Sequence, residues 1–507
     1  MLTGSDTTAT FLVLFLAMGI LAWGYNRARP YGKLGIIAWL QSVILMAPWL
    51  VFFGLFAAGI YLNIVGILLL LLISVGIYIY LGKKLRAEGQ EAILKERASK
   101  NLQEKEEVIA TEQSSSKSPL SGNSTEGNLT PGVIPIPEED LNIIKGIFGI
   151  DTFFTTETIP YQEGVIFKGN LRKEPEEAYS HLSTHLKNLL GDKYRLFLVE
   201  SPEGKPTIIV LPSSNDPQPS TLAQKFLSLV LFVVAIATTL EATGLLLSFD
   251  LFSNLERMGE AIPLSLGIWG LLAAHEIGHL VTAKGYNVRL SFPFLIPSWQ
   301  IGCFGGITRF ESLLPNRTVL FDIALAGPAT AGIISFIMLV TGLILSHPGS
   351  LFQLPSEFFQ QSVLVGTLAK AILGSALQEP LVDIHPLTII GWLGLVITAL
   401  NLIPAGQLDG GRIVQAIYGR KIARRTTIAA LVILGIVALV NPVNPIPLYW
   451  GILILFLQRD LERPSLNELT EPDDARAALG LLALFLMLTA LIPLTPSLAG
   501  SLGIGGS

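Results

Sequence analysis

His275-Glu276-Ile277-Gly278-His279 places two imidazoles and a carboxylate at spacings that suit hydrolytic metal chemistry. On an α-helix, positions four apart lie about 40° apart around the axis, so His275 and His279 aim at one point. Glu276 falls about 60° from His279, where it reaches a water beside the same ion and acts as general base. The motif sits inside an apolar stretch from about Ile262 to Ala283. Alone, HExxH recurs by chance in soluble helices. In a helix bound for hydrocarbon, an ionised Glu and two imidazoles are costly and persist where they serve a partner or a function. The bland alternative is a polar trio satisfied by neighbouring helices.

Such a site needs a third protein ligand and an open position for water. Asp409 is the best candidate, in Asn401-Leu-Ile-Pro-Ala-Gly-Gln-Leu-Asp-Gly-Gly-Arg412 at the end of an apolar stretch from about Leu387 to Ile403. Gly406, Gly410 and Gly411 let the backbone turn sharply there. The alternative role for Asp409 is to cap the next helix. Asp322, Cys303 and Glu379 are chemically able competitors. Asp322 follows Arg317 by five residues, which reads as an interfacial ion-pair partner near a helix start.

The elements that must position these groups are membrane helices. The chain is 50% hydrophobic and 14% charged, with mean hydropathy +0.57, and no Asp, Glu, Lys or Arg occurs from Leu34 to Gly82. About ten spans are predicted, near 9–25, 36–57, 60–82, 222–248, 264–284, 318–346, 387–404, 425–441, 445–458 and 477–496. The stretch 361–377 is more polar and reads as re-entrant or interfacial. The expected fold is thus a polytopic α-helical membrane protein with a small soluble α+β insert. Its parts are a three-helix anchor (1–82), a charged helix and linker (83–132), the soluble domain (133–220) and a membrane core (221–500). Residues 1–25 lack a basic n-region and an A-x-A site, so they read as an anchor. A lone Cys303 gives no disulfide framework, and its ordinary reading is a small buried residue. A net charge of -5 points away from nucleic acid.

Basic residues set orientation. Arg27, Arg29 and Lys33, then Lys83, Lys84 and Arg86, then Arg412, Arg420, Lys421, Arg424 and Arg425 fall on one face of the ten-span arrangement, with Asp250, Glu256 and Glu260 opposite. By the positive-inside rule the basic face is cytoplasmic, or stromal in a plastid. His275 and His279 then lie about 14 and 8 Å along their helix from Lys284, inside the membrane but nearer the basic face.

Between the third and fourth spans, residues 83–109 read as an exposed charged helix and 110–132 as a flexible linker. The sequons at Asn123 and Asn128 should stay unmodified on the cytoplasmic side. The soluble domain is expected to hold helix 137–148, strands 151–158 and 164–168, helix 174–190, and a hairpin of 194–200 and 206–211. Gly169-Asn170-Leu171-Arg172 closes its second strand. A second histidine pair, His181 and His185, lacks an adjacent acid and reads as a helix face rather than a metal site. Pro293–Pro315 is too short and Gly-rich to span. Its Phe304-Gly305-Gly306-Ile307-Thr308 can fold back as a strand or hairpin where it lines a cavity.

HEIGH in one membrane helix and LDGG in a later one resemble the site-2 protease family of intramembrane zinc metalloproteases. With Gly169-Asn170-Leu171-Arg172 and Cys303-Phe-Gly-Gly-Ile-Thr-Arg-Phe-Glu-Ser312, the chain is most similar to the ethylene-dependent gravitropism-deficient and yellow-green type of chloroplasts and cyanobacteria. The resemblance covers about Ile134 to Leu494. It implies one zinc ion per chain on His275, His279 and Asp409, with Glu276 as base and a membrane-embedded polypeptide as substrate. It also implies a hairpin at Phe304–Thr308 whose edge holds the substrate as an added strand. A cyanobacterial plasma or thylakoid membrane is the expected location. The chain departs from the pattern at Ala331, where many site-2 proteases carry Asn, which removes any oxyanion-stabilising side chain from that position. The competing classes are a transporter with an intramembrane proton or metal relay, and a non-catalytic membrane scaffold. No inverted repeat, the mark of a transporter, is visible between the halves.

Overall fold

The computed structural model describes residues 21–57 apart from 23, scattered residues between 70 and 85, and 136–504 apart from 162, 202 and 459. Most of the expected spans at 9–25 and 60–82, and nearly all of the charged helix and linker of 83–132, lie outside the described residues. The chain divides into two compact units, 1–133 with 436–445, and 134–435 with 446–507. In the first, helix α1 (Gly32–Ala57) covers the expected second span.

The second unit begins with the soluble domain. Helix α2 (Glu138–Gly146) opens on Glu138, Glu139 and Asp140, acids suited to a helix N-terminus. Strands β1 (Phe153–Tyr161) and β2 (Gly164–Leu171) precede helix α3 (Pro175–Leu190), and β3 (Tyr194–Glu200) and β4 (Pro206–Pro212) follow it. They form one antiparallel sheet in the order β1-β2-β4-β3. In α3, Ala178, Leu182 and Leu186 recur every four residues and are buried. This stripe packs on the inward-facing Phe153, Phe167, Leu198 and Ile208.

The free edge of β3 is occupied. Leu198 N donates to Leu466 O (2.8 Å) and Glu468 N to Leu198 O (2.9 Å), while Leu466 N and Asn467 N donate to Leu314 O and Pro315 O (2.8 and 3.0 Å). Residues 465–468 therefore act as a parallel strand between the soluble sheet and the chain entering the third long core helix.

Five helices among the described residues are long and apolar enough to cross a membrane, at Leu222–Leu246, Leu255–Gly285, Arg317–Leu345, Asp409–Val440 and Asp474–Leu491. The first is α4, and α5 (Met258–Gly285) is the regular α-helical part of the second. Strands β5 (Phe294–Ser298) and β6 (Gly302–Ile307) pair as an antiparallel hairpin, followed by α6 (Arg317–Leu345). Strand β7 (Phe352–Pro355), helix α7 (Val363–Leu373) and strand β8 (Leu381–Ile384) form a small β-clasped module. Then come α8 (Pro386–Asn401), α9 (Asp409–Val440), α10 (Ile446–Leu453) and α11 (Asp474–Leu491).

Of the ten expected spans, those at 9–25 and 60–82 lie largely outside the described residues, and others differ from expectation in length. The predicted span 387–404 is α8, with 16 residues. At about 1.5 Å per residue it reaches only about 24 Å of a roughly 30 Å hydrocarbon core. The predicted span 425–441 lies in α9, one of the five long apolar helices, whose helical path breaks at Gly419 (φ 77°, ψ 173°). At 445–458 the eight-residue α10 runs into a π-turn, and 361–377 is α7 with a 3-10 turn. Helix α8 packs on α6 at close quarters: a Cβ at Gly391 would lie 2.3 Å from Leu339 N, the kind of approach that small residues permit in a membrane.

Candidate metal centre

Helix α5 carries His275 and His279 one turn apart, both buried. Their Nε2 atoms lie 3.1 Å from each other. Asp409 Oδ2 lies 3.2 Å from His275 Nε2 and 3.5 Å from His279 Nε2. Among the described residues, these three are the group of His, Cys, Asp or Glu side chains whose ligand atoms converge, all within 4.8 Å. Asp409 does not sit at the end of α8, where the apolar pattern places it. The chain turns through 402–408 and Asp409 is the first residue of α9. It is a helix-start residue, as in its alternative reading, yet its carboxylate faces the histidines.

His279 is oriented from behind. Its Nδ1 is 2.7 Å from Ile323 O on α6, which leaves Nε2 for the shared point. The ring lies on Gly327, where a Cβ would come within 2.3 Å of Nε2. Neither Ile323 nor Gly327 was singled out by the sequence, although Gly327-Pro328 inside an apolar helix marks a close approach.

Glu276 faces the hairpin. Thr308 Oγ1 donates to Glu276 Oε2 at 2.9 Å, and a Cβ at Gly306 would lie 2.5 Å from Glu276 Oε1. A narrow recess beside Glu276 and His275 is walled by Gly305, Ala331, Gly394 and Thr398. Ala331 thus borders the site without a polar atom on its side chain.

The five hairpin residues take unequal places. Phe304 is buried against Tyr449 and Trp450, with ring centroids 5.2 and 5.3 Å away, so its side chain belongs to the core. Its carbonyl accepts from Asn401 Nδ2 (3.0 Å). Gly305 and Gly306 run past Asn401 and Glu276, Ile307 ends β6, and Thr308 turns to Glu276.

Arg412 changes its reading altogether. Counted among the loop cations, it is instead buried. Its Nη2 donates to Thr308 O (2.7 Å) and, with Nε, to Glu462 Oε2 (3.0 and 3.2 Å). Its Nη1 stands 3.9 Å from Asp409 Oδ1, and the guanidinium lies over the Phe310 ring at 4.7 Å. The sequence held one signal for this, since Arg412 follows Asp409 by one helical turn. Nothing in it marked Glu462.

The competing ligands lie elsewhere. Asp322 pairs with Arg476 (2.7 Å) and accepts from Tyr286 Oη, rather than pairing with Arg317. Arg317 is itself buried and donates to Ala416 O and Ile417 O at 2.7 Å. The Cys303 thiol is buried 3.5 Å from Gly305 O, and Glu379 is exposed. His181 and His185 pack together on α3, ring centroids 4.3 Å apart and planes tilted by 37°. Of the GNLR motif, Gly169 lets β1 and β2 close up, since a Cβ there would lie 2.2 Å from Phe154 O. Asn170 and Arg172 are exposed, and none of the four residues joins the His–His–Asp group.

Residues 263–441, which carry both histidines and Asp409, match the family model described as peptidase family M50. Residues 142–219 match the one described as the EGY3 middle domain. The chain belongs to peptidase family M50. Within that family it is 39% identical over 366 residues to a protein of Arabidopsis thaliana named "Probable zinc metalloprotease EGY2, chloroplastic", covering 71% of this chain and 65% of that relative. It is 35% identical over 411 residues to a protein of the same plant named "Probable zinc metalloprotease EGY1, chloroplastic", covering 72% and 73% of the two chains. The chain thus spans just under two thirds of the EGY2 relative and somewhat more of EGY1. No solved structure matches. The M50 match ends before Glu462, so the partner of Arg412 lies outside the matched region.

Proposed function

We propose that this chain is an intramembrane zinc endopeptidase that cleaves membrane-spanning segments of other proteins. The observation that carries this reading is the triangle of ligand atoms, with edges of 3.1, 3.2 and 3.5 Å. A tetrahedral ion with ligand bonds of about 2.0–2.1 Å sets its ligands roughly 3.3–3.4 Å apart. Two imidazoles and one carboxylate, three protein ligands that leave a fourth position for water, are the donor set of a catalytic rather than a structural zinc. One zinc ion per chain fits.

When bound, zinc supplies Lewis acidity toward the scissile carbonyl and makes a neighbouring water more acidic. His275, His279 and Asp409 hold that position, and the His279 Nδ1 contact with Ile323 O fixes the ring. Glu276 takes the proton from the water and passes it to the leaving nitrogen. The backbone of Gly305 and Gly306, running beside Glu276, is the edge against which an unwound substrate segment is held as an added strand.

The arrangement in the membrane follows the basic residues. The soluble domain, the residue 465–468 strand and Arg317 gather at the α5 end that carries Lys284, which supports a cytoplasmic or stromal insert in a cyanobacterial or plastid membrane. The ten-span layout, with a soluble domain at 133–220 and a protease core at 221–500, is retained as part of this reading.

Purified protein in detergent or liposomes, given a model single-span substrate, tests the reading. Glu276→Gln is expected to abolish cleavage while keeping close to one zinc per chain. Cleavage at the wild-type rate by this variant, or wild-type protein without zinc, overturns it.

A further inference from the structure

Thr308 bonds both the base and the arginine beside the third ligand. Its hydroxyl donates to Glu276 Oε2 at 2.9 Å, and its carbonyl accepts from Arg412 Nη2 at 2.7 Å. Arg412 in turn faces Asp409 Oδ1 and is held by Glu462. Thr308, Arg412 and Glu462 are all buried. A ring of contacts closes through Glu276, Thr308, Arg412 and Asp409, and back through the histidines that flank Glu276.

We infer that Thr308 is a positioning residue for the Glu276 carboxylate, itself held in place by the buried Arg412–Glu462 pair, rather than a residue that contacts substrate. The physical reason lies in the freedom of a glutamate. Its carboxylate end swings broadly about χ3, and a base must stand within hydrogen-bond reach of the proton it takes. A hydroxyl bond to Oε2 fixes that swing and leaves Oε1, beside Gly306, outside that bond. Thr308 can do this only if its own backbone is pinned. Thr308 follows β6 directly and is not among the β5–β6 pairs. The pin is the Arg412 fork, which spans the carbonyl and Glu462 together as a lysine could not. Burial of that charge pair is costly unless each donor is satisfied, and the Thr308 carbonyl is one of the acceptors that satisfy it.

This inference rests on the proteolytic reading above, and the two fail differently. If wild-type protein does not cleave, or Glu276→Gln does, the proteolytic reading falls. With both behaving as stated, the test is Thr308→Val, which keeps the shape and removes the hydroxyl, beside Thr308→Ser, which keeps the hydroxyl. For Thr308→Val, kcat is expected to fall about tenfold to a hundredfold, the usual scale for a group that orients a catalytic residue. KM and zinc content should stay within about twofold of wild type, as for an interaction made only in the transition state. Thr308→Ser should recover most of kcat. A rise in KM with kcat intact would return Thr308 to the substrate strand and overturn the inference. Equal losses for Val and Ser, or zinc lost in step with kcat, would overturn it as well. Arg412→Gln provides a second arm, read from the single variant alone if Thr308→Val does not accumulate. It should lower kcat on its own, and the double variant should be no slower than the slower single one, because both act through one path. Wild-type kcat in Arg412→Gln, or fully additive losses, removes Arg412 and Glu462 from the device.

Discussion

The imidazole of His279 rests on the backbone of Gly327 so closely that a methyl group there would stand 2.3 Å from Nε2. The ring cannot step aside, because its Nδ1 is tied to Ile323 O at 2.7 Å. Gly327→Ala is therefore expected to weaken zinc binding about tenfold to a hundredfold, the scale found when the support of a metal ligand is disturbed. Gly332→Ala, where the added carbon meets only Thr398 Cγ2 at 3.5 Å, should leave affinity unchanged. Titration with a competing chelator distinguishes the two, and equal affinities would sink the argument.

His279→Ala and Asp409→Ala should each lose most of the bound metal. Asp322→Asn and His181→Ala should retain it, because Asp322 is engaged with Arg476 and His181 packs on His185 away from the site. Metal content of the four purified variants is the measurement. Zinc kept after loss of Asp409 would move the third ligand elsewhere.

Asp140 gives the soluble domain an acid limit. Lys193 and Tyr194 both bond its carboxylate, Tyr194 at 2.7 Å, and these bonds hold its carboxyl below the ordinary 3.8, Lys193 first. A carboxyl lowered in the folded state contributes stability that is present in full above the unfolded value and is lost as pH falls through the folded one. Protection of α2 and β3 amides against hydrogen exchange, corrected for intrinsic rates, should thus decline below about pH 4. In Asp140→Asn that part of the decline should be missing. Superimposable profiles for the two proteins would contradict the assignment.

Topology is open to labelling because the native Cys303 is buried. Cysteines at Glu203 and Lys421, both exposed, should react from one face of a sealed vesicle, and one at Ser253 from the other. Reaction of the Glu203 and Lys421 positions from opposite faces would place the insert away from the basic loops.

What could be read in advance was what is local. HExxH needs only helical geometry, and α5 supplies it. Asp409 was legible through ligand chemistry alone, and its placement at the head of α9 was not, because Gly406, Gly410 and Gly411 allow several turns. Span boundaries were less legible, because hydropathy carries no length: α8 is apolar but stops at Asn401, and α9 begins with a helical stretch before Gly419 that the apolar pattern of 425–441 does not include. Arg412 was misread because its partner, Glu462, is 50 residues away. The strand at 465–468 was invisible, since four residues without alternation look like any loop.

That short strand has a mechanical meaning. It joins the soluble sheet by backbone bonds to residues 314–315, and the next residue, Asn316, caps α6 by accepting from Val319 N. Ile323, which steadies His279, lies seven residues on, about 10 Å up the same rigid rod. Sheet, short strand and α6 are thus joined in series by hydrogen bonds, from the insert to the helix turn whose carbonyl meets the imidazole. Excising the insert would strip Leu466 O and Glu468 N of their partner, leaving a raw edge ready to pair with another chain. The insert is in that sense a handle welded to the membrane core, and the core is not a cassette to be lifted out without it.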